Sequence, residues 1–271
     1  MFKIILIVAA VFLFRHFRKM GRTVTAPTGQ VWDLFEDMLS QAHLLVAGAT
    51  GSGKSVAING LLNTLLYRLP NDDPGGAQLI LIDPKLVEFA AYKGLPHVIE
   101  CASGYNPDAW MKALNRALAI MDWRKTYMGK NKLQMYDRGD LYVVIDEWAS
   151  IYKNKKCGKA AYEAVLRLIS EGRAERVHLI MATQIPKADI IPTEIRENFP
   201  ARLCLFTNSA AQSRLLMGKN GCEDLPDPKT VGKAKGFYVL PGKDNIQERE
   251  IPYVRRDEIN RNIAWWMNQC A

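Results

Sequence analysis

The sequence predicts an α/β fold, with a mostly parallel β-sheet and helices on both faces of that sheet. Two observations lead to this prediction. From His43 onward, short apolar runs alternate with longer stretches of helical periodicity. The runs are continuously apolar, which is typical of parallel strands buried on both faces. With 271 residues, 48% of them hydrophobic, the chain can fill the core that such a sheet needs.

The predicted elements follow one another from residue 31. Apolar residues three and four positions apart predict a short amphipathic helix at 31–39. Strands are then predicted at 44–49, 79–83, 141–146, 178–183, 201–206 and 236–240, and helices at 56–69, 107–128, 160–170 and 256–271. We therefore divide the chain into an N-terminal segment (1–22), a linker with the amphipathic helix (23–42), a main domain (43–255) and a C-terminal helix (256–271).

The N-terminal segment has the composition of a short membrane-directed helix. An unbroken apolar run at 4–14 is followed by the basic residues Arg15, Arg18, Lys19 and Arg22. A full span needs about 20 residues, but flanking basic side chains can snorkel and the bilayer can thin. The positive-inside rule then predicts a protein at the cytoplasmic membrane whose body faces the cytoplasm. The alternative is a buried element of a cytoplasmic domain.

Composition excludes several other classes of protein. The five cysteines form no CxxC pair, which argues against a zinc site or a disulfide framework and favours a reducing cytoplasm. His43, His97 and His178 lie in or beside apolar segments and are predicted to be structural. Five of the eight net positive charges fall in residues 1–22, so the net charge alone does not make the body a nucleic-acid binder.

A phosphate-binding loop is predicted from GATGSGKS at 48–55, which matches the pattern GxxxxGK[ST] between a strand and a helix. Its glycines permit a backbone that turns successive N–H groups toward phosphate, at the positive end of a helix dipole. Lys54 would reach the β and γ phosphates, and the Ser55 hydroxyl would ligate Mg²⁺. The predicted nucleotide-binding residues are Gly48, Ala49, Thr50, Gly51, Ser52, Gly53, Lys54 and Ser55.

Polar residues at the ends of two further strands predict the rest of a hydrolytic site. LYVVIDEW places Asp146 and Glu147 at the carboxyl end of a buried strand. There an aspartate can hold the magnesium shell, and the adjacent glutamate can polarise the water that attacks the γ-phosphate. This acidic pair favours ATP hydrolysis over a switch GTPase. HLIMATQ ends in Thr183 and Gln184, which are candidates for sensing the γ-phosphate.

In combination, these motifs resemble those of the FtsK/SpoIIIE family of hexameric, ATP-driven double-stranded DNA translocases. The similar segments are the loop with its preceding strand (43–55), LILIDPKLVEFAAYKGLPHV (79–98), VVIDEWASI (143–151), GRAERVHLIMATQIP (172–186) and NFPARLCLF (198–206). The segment at 79–98 is far more discriminating than a phosphate loop alone. The resemblance implies a RecA-like P-loop ATPase of the HerA/FtsK type.

The resemblance also implies roles for individual residues. Lys54, Ser55, Asp146 and Glu147 take the ATPase roles of the family, and Gln184 takes the sensor role. Arg173 falls where the family places an arginine finger that enters the site of the neighbouring subunit. Arg202 is a second candidate for an interface or nucleotide contact. The chain departs from the family at Ile185, where an arginine is usual.

Partners follow from the same resemblance: double-stranded DNA, further copies of the chain in a hexameric ring, and the membrane through the N-terminus. No long multi-span domain or winged-helix reader is apparent in the sequence, so we expect a short relative that moves mobile-element DNA in conjugative transfer, with a relaxase or replication initiator as a further partner. Candidate DNA-contacting lysines are Lys125, Lys130, Lys132, Lys153, Lys155, Lys156 and Lys159.

Two alternatives to this function stay open. One is a packaging or secretion ATPase with another cargo. The other is an ATP-binding coupling scaffold, in which hydrolysis is incidental. Trp265 and Trp266 could stack on nucleic acid, but at the end of an apolar helix they are more often core or interface residues.

Overall fold

The apolar runs of the sequence form the strands of one sheet in a computed structural model that describes residues 32–240 and 246–270. The strands are β1 (His43–Ala47), β2 (Ala77–Asp83), β3 (Val98–Ser103), β4 (Asp140–Ile145), β5 (Val177–Thr183), β6 (Ala201–Leu205), β7 (Lys235–Val239) and β8 (Gln247–Glu250). The helices are α1 (Asp33–Leu39), α2 (Lys54–Leu65), α3 (Pro107–Asn131), α4 (Trp148–Tyr152), α5 (Gly158–Glu171), α6 (Thr193–Glu197), α7 (Ala210–Met217), α8 (Pro228–Val231) and α9 (Arg256–Cys270).

The sheet is mixed, with the strand order β3-β2-β4-β5-β1-β6-β7-β8. The first six strands in this order are parallel, and β7 and β8 are antiparallel at one edge. The prediction of an α/β fold with a mostly parallel sheet is therefore confirmed. Because parallel strands all end at the same edge, β1, β2, β4 and β5 bring the residues that follow them together.

Each face of the sheet is covered by helices. On one face, Leu45 and Val143 pack with residues of α3, α4 and α5, including the fully buried Trp110 and Trp148. On the other face, Val46 and Val144 pack against α1, α2 and α9. Successive strand residues thus point into two separate cores, which explains why the middle positions of the central strands are continuously apolar.

The C-terminal helix α9 supports α2 from behind. Trp266 is 1% exposed, and its indole Nε1 donates a hydrogen bond to the carbonyl oxygen of Leu66 at 2.8 Å. Its ring lies edge-on to His97, with centroids 4.7 Å apart. Asn262 adds a hydrogen bond to Asn63 of α2 at 2.9 Å. Trp266 is therefore a core residue, and the packing of α9 helps to position the helix that begins at the phosphate loop.

The three histidines named from the sequence are structural. His43 accepts a hydrogen bond from the Leu179 backbone N–H at 3.1 Å, and His97 pairs with the carbonyl oxygen of Arg68 at 2.8 Å. His178 lies between the carbonyl oxygen of Ala42 and the carboxylate of Asp140. Each ring thus forms at least one hydrogen bond within the fold.

The predicted membrane-directed segment 1–22 lies outside the described residues. Within 32–240 and 246–270, the structure has no helix whose length and apolar character would let it cross a membrane.

Candidate nucleotide-binding site

The phosphate loop lies between the ends of β1 and its two neighbours. Its first residues are tied to the neighbouring strands: the Gly48 N–H donates to the carbonyl oxygen of Thr183 at 3.3 Å, and the Ala49 N–H donates to that of Phe206 at 2.8 Å. These bonds fix where the loop leaves the sheet. The loop then leads directly into α2 at Lys54.

Two glycines of the loop have left-handed backbone conformations, with φ of 84° at Gly51 and 96° at Gly53. A Cβ atom on Gly53 would also lie 2.4 Å from the Cβ of Ala234, so the space next to this residue is closed. Gly53 is the N-cap of α2 and provides no side-chain cap. The first N–H groups of the helix are therefore available to an anion, as a phosphate site requires.

Lys54 and Asp146 meet in the buried part of the site. The Lys54 ammonium lies 3.8 Å from Oδ1 of Asp146, and both side chains are at most 5% exposed. The Asp146 carboxylate follows β4 and is placed by a hydrogen bond from its own N–H to the carbonyl oxygen of Ile82 at 3.1 Å. The structure thus brings the predicted phosphate-binding lysine and the predicted metal-binding aspartate together.

The environment of the Asp146 carboxylate favours a bound cation in addition to Lys54. Burial raises the pKa of Asp146 to about 6; the charge of Lys54 opposes this shift, and the carboxylates of Glu88, Asp83 and Glu147 increase it. Its Oδ1 is buried without a hydrogen-bond partner in the part of the chain that the structure describes. A buried carboxylate oxygen in this position fits a divalent cation, which would satisfy it and lower its pKa.

Glu147 is held in place by three groups. Its Oε1 accepts hydrogen bonds from the Thr183 hydroxyl at 2.9 Å and from the Gln184 N–H at 3.1 Å. Its Oε2 lies 3.2 Å from the ammonium of Lys85. The side chain of Gln184 turns to the phosphate loop, where its Oε1 accepts a hydrogen bond from Thr50 at 2.9 Å. The predicted base and the predicted sensor are therefore directly connected.

Two charged residues of the site, Lys85 and Glu88, were not predicted from the sequence. Lys85 contacts Glu147, and Glu88 accepts a hydrogen bond from the Ser55 hydroxyl at 2.5 Å. Both belong to the segment 79–98, which identified a family resemblance but received no chemical role. Their position just after β2, at the same edge of the sheet as the phosphate loop, is the signal that points to them.

Lys229 of α8 is another residue at the loop that sequence patterns did not indicate. A Cβ atom built on Gly51 would lie 2.8 Å from its Cε and 3.2 Å from its Nζ. A second ammonium group thus lies beside the phosphate loop. It is contributed by a turn-rich segment far along the chain.

Arg173 and Arg202 are not in this cluster. Arg173 is exposed in the loop before β5, at the opposite edge of the sheet from the phosphate loop. That loop is braced by the buried Arg124, whose Nη1 donates to the carbonyl oxygens of Glu175 and Arg176, both at 2.9 Å. Arg202 is half-buried and donates to the carbonyl oxygen of Leu216 at 2.8 Å, which is a contact within its own subunit.

Comparison with known proteins agrees with this geometry. Residues 31–151 match the model of the FtsK/SpoIIIE family. The chain carries an FtsK/SpoIIIE-family domain. The Helicobacter pylori DNA translocase FtsK is 31% identical over 240 residues, which cover 84% of this chain and 27% of that protein. The chain thus spans only about a quarter of the length of this curated FtsK relative.

Two solved structures share the fold of this chain. The pCW3 conjugation coupling protein TcpA, solved with ATPγS, has a TM-score of 0.69 at 22% identity over 84% of this chain and 66% of its own. The cytoplasmic domain of the Thermomonospora curvata type VII secretion ATPase EccC has a TM-score of 0.66 at 21% identity, over 82% and 28%. The predicted resemblance to the FtsK/SpoIIIE family is confirmed by the family model and the FtsK relative, and the two solved structures confirm the fold.

Proposed function

We propose that this protein hydrolyses ATP to move along double-stranded DNA. The observation that carries the proposal is the convergence of Lys54, Asp146 and Glu147 at one edge of the sheet, with Glu147 joined to Thr183 and Gln184. Curated relatives above 30% identity are DNA translocases, which supports DNA as the cargo.

The chemistry follows from the positions of these side chains. Loop N–H groups and Lys54 bind the phosphates of ATP and neutralise charge that develops as the terminal phosphoryl group leaves. Glu147 accepts a hydrogen bond from the attacking water and takes its proton, and its burial keeps other water away. Gln184 touches both Thr50 of the loop and Glu147, so it is placed to respond to the γ-phosphate.

Ser55 and Asp146 are the residues that would hold a magnesium ion. These side chains offer a hydroxyl and a carboxylate oxygen that has no hydrogen-bond partner among the described residues, and Mg²⁺ would take its other ligands from phosphate and water. When bound, the ion supplies positive charge that withdraws electrons from the phosphate oxygens.

In our proposal, copies of this protein form a hexameric ring that moves along the DNA. Arg173 lies too far from its own site to act there, and its exposed, braced position suits a finger that enters the site of the next subunit. Lys153, Lys155, Lys156 and Lys159 lie at the edge of the phosphate loop, whereas Lys125, Lys130 and Lys132 lie near the opposite edge. Lys125 and Lys156 are engaged with Glu171 and Asp108, and the others are exposed candidates for phosphate contacts.

The N-terminal segment suggests where the protein works in the cell. We place the protein at the cytoplasmic membrane through residues 1–22, in conjugative or mobile-element transfer, with a relaxase or replication initiator as a partner. The basic, apolar composition of that segment supports the location.

The deciding experiment measures movement directly. The purified full chain is given a linear duplex carrying a triplex-forming strand, with ATP or with a non-hydrolysable analogue. We expect DNA-stimulated ATP hydrolysis, and displacement of the third strand with ATP alone. Lys54→Ala removes nucleotide binding, whereas Glu147→Gln keeps binding and hydrolyses on the order of 10²-fold more slowly. Lys112→Ala, which removes an exposed ion pair with Glu100, is the control.

Other results would assign another function. Hydrolysis stimulated by a protein cargo but not by DNA favours a secretion or packaging ATPase. Full DNA transfer in cells by the Glu147→Gln variant favours the coupling scaffold, because that variant binds ATP without turning it over.

A further inference from the structure

The loop after β2 is held in one conformation by a single buried carboxylate. Asp83 is 0% exposed. Its Oδ1 accepts the Lys85 N–H at 3.0 Å, and its Oδ2 accepts the N–H groups of Glu88 and Phe89 at 2.9 and 3.2 Å. The carboxylate at the end of the strand thus organises the next six residues.

This loop also contains an unfavourable backbone conformation. Leu86 has φ of 58°, in the left-handed region that leucine rarely adopts, and its side chain is 59% exposed. Burial of the side chain therefore does not compensate for the strain of this conformation. The hydrogen bonds to Asp83 hold the loop in this shape, and the shape directs Glu88 toward the phosphate loop.

Glu88 is fixed by contacts on both carboxylate oxygens. Oε1 accepts the Ser55 hydroxyl at 2.5 Å, and Oε2 accepts the Asn59 side-chain amide at 3.2 Å. Asn59 is held in turn by the Tyr92 hydroxyl, which donates to its Oδ1 at 2.7 Å. The carboxylate of Glu88 is thus positioned against the first turn of α2 rather than directed to solvent.

The contact determines how the Ser55 hydroxyl is oriented. A serine hydroxyl has one proton to donate and two lone pairs to offer. Because the proton is directed to Glu88, the lone pairs point elsewhere, and the adjacent negative charge makes the oxygen a better ligand. A serine without this acceptor could rotate its proton toward the cation.

We propose that Glu88 is a positioning residue for the cation of the nucleotide site, acting through the hydroxyl of Ser55. The proposal rests on the proposed function, in which Ser55 ligates the nucleotide-bound Mg²⁺. It gives the segment 83–88 a chemical role: Asp83 shapes the loop, and Glu88 orients a metal ligand.

The test is the magnesium dependence of nucleotide binding by the full chain, followed with a fluorescent ATP analogue. We expect Glu88→Ala to raise the Mg²⁺ concentration for half-maximal binding about tenfold, the lower end of the effect of losing a group that orients a metal ligand. Binding in EDTA stays unchanged. Glu88→Gln, which keeps an acceptor for Ser55, gives a smaller shift and covers the case in which Glu88→Ala fails to fold.

A double-mutant comparison tests whether Glu88 acts through Ser55. In a Ser55→Ala background, Glu88→Ala is expected to add less than about a twofold change, because the hydroxyl that it orients is gone. Glu100→Gln, a carboxylate on β3 that pairs with Lys112 and Arg116 away from the loop, is the control and should match the wild type.

The outcomes distinguish a failure of the role proposed for Glu88 from a failure of the proposed function. If Ser55→Ala shifts the magnesium dependence but Glu88→Ala and Glu88→Gln do not, the role of Glu88 is overturned and the proposed function stands. If the effects of Ser55→Ala and Glu88→Ala are additive, Glu88 does not act through Ser55. If Ser55→Ala has no effect, Ser55 is not the ligand, and the proposed cation site itself is wrong.

Discussion

The ammonium of Lys85 lies 3.2 Å from Oε2 of Glu147, and it joins the loop after β2 to the residue that the proposed mechanism uses as a base. The Glu147 side chain is 3% exposed and that of Lys85 is 39% exposed. The pair therefore lies at the boundary of the site, where a lysine can hold one carboxylate oxygen while Thr183 and Gln184 hold the other.

Replacing Lys85 by methionine tests this contact. The variant keeps the length of the side chain and removes its charge, so Oε2 of Glu147 keeps only the Gln184 N–H at 3.3 Å and the carboxylate becomes less well oriented. We expect kcat for ATP hydrolysis to fall about tenfold with KM within about twofold, because phosphate binding does not involve this pair. Steady-state kinetics measure both. An unchanged kcat would show that Thr183 and Gln184 orient Glu147 without help.

The closed space at Gly53 predicts a sharp difference between two glycine substitutions. Gly53→Ala combines φ of 96° with a new Cβ only 2.4 Å from that of Ala234. We expect it to displace the start of α2 and to abolish binding of a fluorescent ATP analogue. Gly75→Ala is the matched control: its φ is 81°, but a Cβ there has nothing within 4 Å. It should cost about 1–2 kcal/mol of stability and leave nucleotide binding intact.

Wild-type affinity in Gly53→Ala would mean that the segment around Ala234 moves away without cost. Equal loss of binding in both variants would point to general backbone strain rather than to the packing of Ala234 on the loop. Thermal melting of the two proteins distinguishes these cases.

Much of this structure was predictable, because the central strands are buried on both faces and their sequences contain continuous apolar runs. The edges were not. β3 carries Glu100, which pairs with Lys112 and Arg116, and its partial burial leaves no continuous apolar run. β8 reads QERE and is mostly exposed, so its pairing with β7 is invisible in hydrophobicity.

Some residues of the site were predictable from the sequence and others were not. The phosphate loop and the Asp146–Glu147 pair follow strong local patterns, because loop, strand and functional residue are contiguous in sequence. Lys85, Glu88 and Lys229 reach the site only through the order of strands and the path of a late segment, and no local spacing encodes either. Their chemistry becomes visible once β2 is placed beside β4.

Burial of His97 predicts a pH-dependent loss of stability. Burial lowers the pKa of His97 to about 4, against 6.5 for a free histidine, although its bond to the Arg68 carbonyl partly opposes the shift. The unfolded chain therefore takes up the proton first as pH falls. This contribution to stability is complete above about pH 7 and is lost as pH falls from 6.5 toward 4.

Between pH 7 and pH 5, His97 should account for about 2 kcal/mol of lost stability. Urea denaturation of the wild type and of His97→Gln at the two pH values measures it, since groups common to both proteins cancel. The variant should lose less stability on acidification than the wild type. Equal losses would mean that the folded protein takes up the proton as readily as the unfolded chain.

The two adjacent tryptophans of α9 should behave differently. Trp266 is buried, donates to Leu66 and packs on His97, so Trp266→Ala should destabilise the fold by about 3–5 kcal/mol. Trp265 is only partly buried, and Trp265→Ala should cost clearly less. Denaturant unfolding gives both values. A larger loss at Trp265 would contradict the packing of α9 on α2.

Two inactive variants can test whether Arg173 acts in the nucleotide site of a neighbouring subunit. Arg173 and the phosphate loop lie at opposite edges of the sheet, so in the proposed ring each site takes its arginine from a neighbour. Arg173→Ala should lower ATP hydrolysis on the order of 10³-fold or more, which is the usual effect of losing an arginine finger. Lys54→Ala should be at least as inactive, because it removes nucleotide binding.

Mixing these two variants in equal amounts should restore activity. In a randomly assembled ring, roughly a quarter of the interfaces join an intact phosphate loop to an intact Arg173, because contacts in a ring run head to tail. Arg167→Ala, a partly exposed arginine of α5 that pairs with Asp122, is the control and should keep full activity alone. If the mixture stays inactive while both variants assemble, Arg173 does not serve a neighbouring site, and its braced loop has a structural role within its own subunit.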